Sequence, residues 1–86
     1  MIKHEPLVEF CIKIIENGEI YYENGMIDEI PEDFSKKEAI AKLKRACRDN
    51  GWYLADITYL VFSYWHNGEQ VVYRWIDLDF ENNYIG

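Results

Sequence analysis

Apolar and polar positions alternate along the first part of the chain, and that period of two predicts strands. Val8, Phe10, Ile12 and Ile14 share one face of the first strand. Glu16-Asn17-Gly18-Glu19 then suits a two-residue turn, because Asn-Gly tolerates the positive φ that a type I′ hairpin needs. Ile20, Tyr21 and Tyr22 return on the neighbouring strand. A second Asn24-Gly25 is expected to end that return and lead into Met26-Ile27. The segment Asp28-Glu29-Ile30-Pro31-Glu32-Asp33 reads as an acidic connection, with Pro31 interrupting any strand.

The period then changes to that of a helix. Ala39, Ile40, Leu43, Ala46 and Cys47 recur on one apolar stripe. Ser35 and Glu38 form a capping box before it, with Phe34 and Ala39 at the staple positions. Gly51 follows as a C-cap, so the helix runs from about Lys36 to Asn50.

Trp52 to Phe80 reads as one long hairpin turning at Asn67-Gly68. A two-residue turn sets its register. Ile57 then faces Leu78, Tyr59 faces Ile76, Val61 faces Arg74 and Ser63 faces Val72 on one side. Leu60 faces Trp75, Phe62 faces Tyr73 and Tyr64 faces Val71 on the other. The expected fold class is α+β, a single helix packed on antiparallel β-hairpins in the order β-β-α-β-β, with residues 1–86 as one domain.

Both faces of the second hairpin are apolar, whereas one helix covers one face. The aliphatic side, with Ile57, Tyr59, Val61, Ile76 and Leu78, is the side expected to receive Ile40, Leu43 and Cys47. The aromatic side, with Leu60, Phe62, Tyr64, Tyr73 and Trp75, is then either covered by the N-terminal hairpin folding over it or partly left for a second molecule or a second copy.

Charge sharpens this picture. The net charge is −7, divided as −7 over residues 1–34, +5 over 35–48 and −5 over 49–86. A basic helix is set into an acidic body. Phosphates would meet net repulsion, so direct nucleic-acid binding is not expected. No apolar run approaches the roughly 20 residues of a membrane span, and the polar start is not a targeting segment. Cys11 and Cys47 lack metal-ligand spacing and read as small buried side chains, which suggests a reducing, cytoplasmic setting.

Little in the chain points to catalysis. His4 lies near the start and His66 flanks a turn, with no Ser or Cys nucleophile set beside either. The glycines are accounted for as turn and cap residues, so no phosphate loop remains. No cofactor is expected. Asp77, Asp79 and Glu81 alternate onto one side of the last strand, and the register puts Asp56 opposite Asp79 and Thr58 opposite Asp77. Such carboxylates could hold Mg²⁺ or Ca²⁺ in a hydrolase, although like charges opposed across strands normally repel. On the helix, Lys37, Lys44 and Arg48 line one edge of the apolar stripe with Arg45 beyond them. They read as a solvated face, with Glu38 and Lys42 as an i, i+4 pair.

The favoured reading is a protein-binding module without chemistry of its own. Asp28, Glu29, Glu32 and Asp33, with Asp77, Asp79 and Glu81, could stand in for phosphates against a basic surface, while Leu60, Phe62, Tyr64, Tyr73 and Trp75 hold the complex. In size, acidity and aromatic content the chain resembles the small inhibitors that phages direct at host defence, such as anti-CRISPR proteins. That resemblance is compositional and implies a partner that is a larger protein or ribonucleoprotein with a basic surface. The alternatives are a homodimer joined through aromatic faces or edge strands, and a carboxylate-metal enzyme on Asp56, Asp77 and Asp79.

Overall fold

In the computed structural model, which describes residues 5–77, four strands and one helix follow one another as β1 (Leu7–Glu16), β2 (Glu19–Ile27), α1 (Lys36–Asp49), β3 (Tyr53–His66) and β4 (Glu69–Asp77). The α+β class and the order β-β-α-β-β are as expected. All neighbouring strands are antiparallel, and their order across the sheet is β2-β1-β3-β4. The two hairpins therefore join through their first strands, β1 against β3. Strands β2 and β3 run the same way, and α1 makes the crossover between them.

Local chemistry accounts for where the elements start and stop. Asn17 and Gly18 take φ of 53° and 80°, and Asn67 and Gly68 take 52° and 80°, the positive pair that a two-residue hairpin turn requires. Ser35 Oγ accepts from the Glu38 N–H at 3.1 Å, and the Ser35 N–H donates to Glu38 Oε1 at 3.2 Å. The capping box is complete. Phe34 and Ala39 are both buried beside it. At the other end the Trp52 N–H reaches the Cys47 carbonyl and the Gly51 N–H reaches the Arg48 carbonyl, a Schellman closure with Gly51 at φ 74°.

One expected turn is absent. Strand β2 continues through Asn24-Gly25 without a break, with Phe10 opposite Gly25 in the ladder. The glycine is there for space and not for its backbone freedom. A Cβ at Gly25 would stand 2.6 Å from Phe10 Cζ, so the ring lies over the strand where the side chain is missing.

The core lies between α1 and one face of the sheet. Val8, Ile12 and Ile14 of β1 and Leu60 and Phe62 of β3 meet Ala39, Leu43 and Cys47 of the helix. Ile30 and Phe34 close the cluster from the β2–α1 connection, where the Phe34 N–H bonds the Pro31 carbonyl. The helix therefore packs on the side that carries Leu60 and Phe62. This reverses the expected assignment of faces.

Bulges are the physical reason. Between β1 and β3 the register slips twice, leaving Thr58 and then Ala55 without a partner residue. Each extra residue inverts the alternation beyond it, so Ile57 opposes Ile12 and Leu54 opposes Ile14. Both join the side that holds Leu60. Thr58 stabilises its own bulge by donating from Oγ1 to the Cys11 carbonyl at 3.1 Å. A third bulge places Trp75 extra between β3 and β4. Leu60 consequently faces Ile76 and Tyr59 faces Asp77, while the pairs from Val61 to Tyr64 keep their expected partners.

Candidate protein-binding surface

The side of the sheet away from α1 has no second layer among the described residues. By strand parity this side presents Ile20, Tyr22, Asn24 and Met26 from β2, and Glu9, Cys11, Lys13 and Ile15 from β1. It also presents Tyr53, Asp56, Tyr59, Val61 and Ser63 from β3, and Val72, Arg74 and Asp77 from β4. Large apolar groups on it stay in water: Ile20 is 56% exposed, Tyr22 61%, Met26 67% and Tyr53 67%. Trp65 and Val72 are exposed to a lesser degree. Large apolar groups left in water on one side of a sheet, here interspersed with Glu9, Lys13 and Asp56, are a ground for expecting an occupant.

The surface is not uniform. Val61 is buried although no helix covers it, with Glu9 and Arg74 flanking it in the adjacent strands. The aliphatic stems of such side chains cover apolar neighbours while their charged ends stay wet. Beside it Arg74 Nη1 stands 3.4 Å from Asp77 Oδ2, and the bulge at Trp75 is what brings these two onto one side. Apolar exposure is therefore concentrated toward β2 and the start of β3.

The residues expected to bind a partner divide into groups. Leu60 and Phe62 are 0% and 2% exposed beneath the helix and cannot touch another molecule. Tyr64 and Trp75 are partly buried against the same core, and Tyr73 remains half exposed at its margin. Phe62 organises them: its ring stacks on Trp75 at 5.2 Å and on Tyr73 at 6.0 Å, with Tyr64 tilted at 5.5 Å. The aromatic cluster is thus a wall of the hydrophobic core, a correction that follows from the reversed faces. Burial, the adjacent Tyr73 hydroxyl and the charge of Glu32 together push the Tyr64 hydroxyl above the usual tyrosine range.

Asp28, Glu29, Glu32 and Asp33 are all exposed, and the structure keeps them together on the short connection between β2 and α1. Glu29 holds φ at 56°, a left-handed conformation uncommon for its type. Asp77 departs from expectation, being only 8% exposed and paired with Arg74. It is not a free acidic group at the surface. Asp79 and Glu81 lie outside the described residues. Asp56 opposes Lys13, and its Oδ1 accepts from the Ile57 N–H. Among the described residues no group of three His, Cys, Asp or Glu side chains is placed to hold a metal ion.

His66 is exposed beside its turn, and His4 lies outside the described residues. Cys47 is buried as expected, and burial pushes its thiol pKa up. Cys11 is only partly buried, because it sits on the uncovered side of β1. Glu38 serves the helix cap, and among the described residues no ion pair joins it to Lys42. No helix among the described residues is long and apolar enough to cross a membrane.

Sequence reasoning missed Ile20, Tyr22, Met26 and Tyr53 as surface groups. The signal was present in β1, where Glu9 and Lys13 share one parity and Val8, Phe10, Ile12 and Ile14 share the other. A strand so divided shows which side of β1 faces water, and the other strands follow only once their register with it is known. Comparison with protein-family models, with curated proteins and with solved structures finds no match to this chain.

Proposed function

We propose that the chain is a non-catalytic binding module that docks on a basic surface of a larger protein or ribonucleoprotein. The observation that carries the reading is the helix-free side of the sheet, where Ile20, Tyr22, Met26 and Tyr53 stand in water on paired strands. Apolar and aromatic groups held by strands lose little conformational freedom on binding, which is how an interface core gains affinity. The acidic connection supplies the charge. Asp28, Glu29, Glu32 and Asp33 would steer the encounter and occupy positions that phosphates take on the partner. An inhibitor that blocks a nucleic-acid-binding surface, of the anti-CRISPR type, needs both properties and no active site.

The test uses the full chain immobilised and a host lysate. A partner captured this way and purified should be displaced by heparin, a polyanion that competes for basic surfaces. Its association should slow as salt rises, because exposed charges are screened over about 8–10 Å near physiological ionic strength. A partner that heparin leaves bound, with an association rate equal at low and high salt, would remove the acidic-mimic reading.

A further inference from the structure

We propose that β2 is the pairing edge of a homodimer, in which two copies join antiparallel about a two-fold axis at Asn24 and merge their sheets into one of eight strands. The two edges of the sheet differ in a way that selects β2. Strand β4 carries the bulge at Trp75 and the charged residues Glu69, Arg74 and Asp77, features that disfavour strand addition. Strand β2 pairs with β1 in unbroken register from Glu19 to Ile27 and contains no Lys, Arg or Pro, its charged residues being Glu19 and Glu23. It also carries three of the most exposed apolar side chains of the sheet, Ile20, Tyr22 and Met26.

The direction of its free backbone groups follows from the turn. A two-residue turn makes Glu16 and Glu19 a hydrogen-bonded pair, and narrow and wide pairs alternate from there. Ile20, Tyr22, Asn24 and Met26 therefore stand in non-hydrogen-bonded pairs with β1, and each turns its N–H and C=O outward. Two copies can use those groups only by setting even-numbered residues opposite one another.

Three axes fit that condition near the middle of the strand. An axis at Glu23 opposes two carboxylates across the ladder, which is destabilising. An axis at Tyr22 leaves Ile20 against the partner's Asn24. An axis at Asn24 sets Tyr22 against the partner's Met26, Tyr21 against the partner's Ile27 and Glu23 against the partner's Gly25. Apolar groups then meet on both sides of the sheet and no like charges are opposed over residues 21–27, while Ile20 and Glu19 lie beyond this paired stretch, level with the partner's Asp28 and the partner's Glu29. The matching strand is β2 itself, so the occupant is a second copy. Such a dimer would leave Glu32, Asp33 and the apolar groups of β3 outward. It does not rest on the existence of a basic partner.

Sedimentation velocity of the pure full-length chain tests this across low to high micromolar concentration. Asn24→Pro removes one outward N–H without touching the β1 ladder, and Gln70→Pro does the same on β4, where Gln70 opposes Trp65. The wild type and Gln70→Pro should dimerise alike, and Asn24→Pro should weaken dimerisation by about tenfold or more while keeping its circular dichroism. Tyr22→Lys with Met26→Lys should have the same effect if Asn24→Pro fails to fold. A wild type that stays monomeric throughout overturns the proposal. So does a dimer that survives both β2 variants, or one that Gln70→Pro disrupts equally.

Discussion

Single residues carry more of this fold than their exposure suggests, and the helix start shows it. Ser35 and Glu38 bond one another reciprocally, with Phe34 and Ala39 packed beside them. Ser35→Ala should lower stability by about 0.5–2 kcal/mol, read as a lower denaturation midpoint at unchanged slope. Gly25 acts through volume. Gly25→Ala forces the Phe10 ring away and should cost about 1–3 kcal/mol, with Phe10→Leu recovering part of the loss in a double-mutant cycle. The two thiols should also separate. A thiol reagent should label Cys11 before Cys47, because burial both shields Cys47 and disfavours its thiolate. Faster native labelling of Cys47 would contradict its place under the helix.

Elements were largely legible in the sequence, whereas their faces were not. Asn17-Gly18, Asn67-Gly68, the Ser35–Glu38 box and Gly51 act through neighbours in the chain, so their turns and caps could be read locally. Bulges at Ala55, Thr58 and Trp75 depend on how β1, β3 and β4 fit together, and no local rule reveals them. A strict period of two carried Ile57 to the wrong side. From there it gave the helix to the aliphatic face and the aromatic face to a partner. Asn24-Gly25 misled for a related reason, since the packing of Phe10 decides what that glycine does. The corrected assignment predicts that Phe62→Ala costs about 3–5 kcal/mol and leaves the domain largely unfolded, as seen by thermal melting. An unchanged melt would return the aromatic cluster to the surface.

For the whole molecule, one helix on a four-stranded sheet covers a single side, and the charge is segregated between a basic α1 and acidic surroundings. The acidic side chains of 28–33 could be recognised from the sequence because composition alone exposes them. The apolar side chains that complete the proposed binding surface could not, because they depended on the choice of face. The two kinds of group should leave different kinetic marks. Reversing Asp28, Glu29, Glu32 and Asp33 to Lys should reduce the association rate with a basic partner more than it raises dissociation. Removing apolar groups from the helix-free side should instead speed dissociation.

Tyr53 and Val72 decide whether a partner docks on the uncovered sheet, since both lie on the helix-free side and away from the β2 edge. The measurement is the dissociation constant of the captured partner for the Tyr53→Ser, Val72→Ser double variant, with circular dichroism showing that its fold is retained. The variant is expected to stay folded and to bind at least about tenfold more weakly, through faster dissociation. A folded variant with wild-type affinity would show that the uncovered sheet is not where the partner sits.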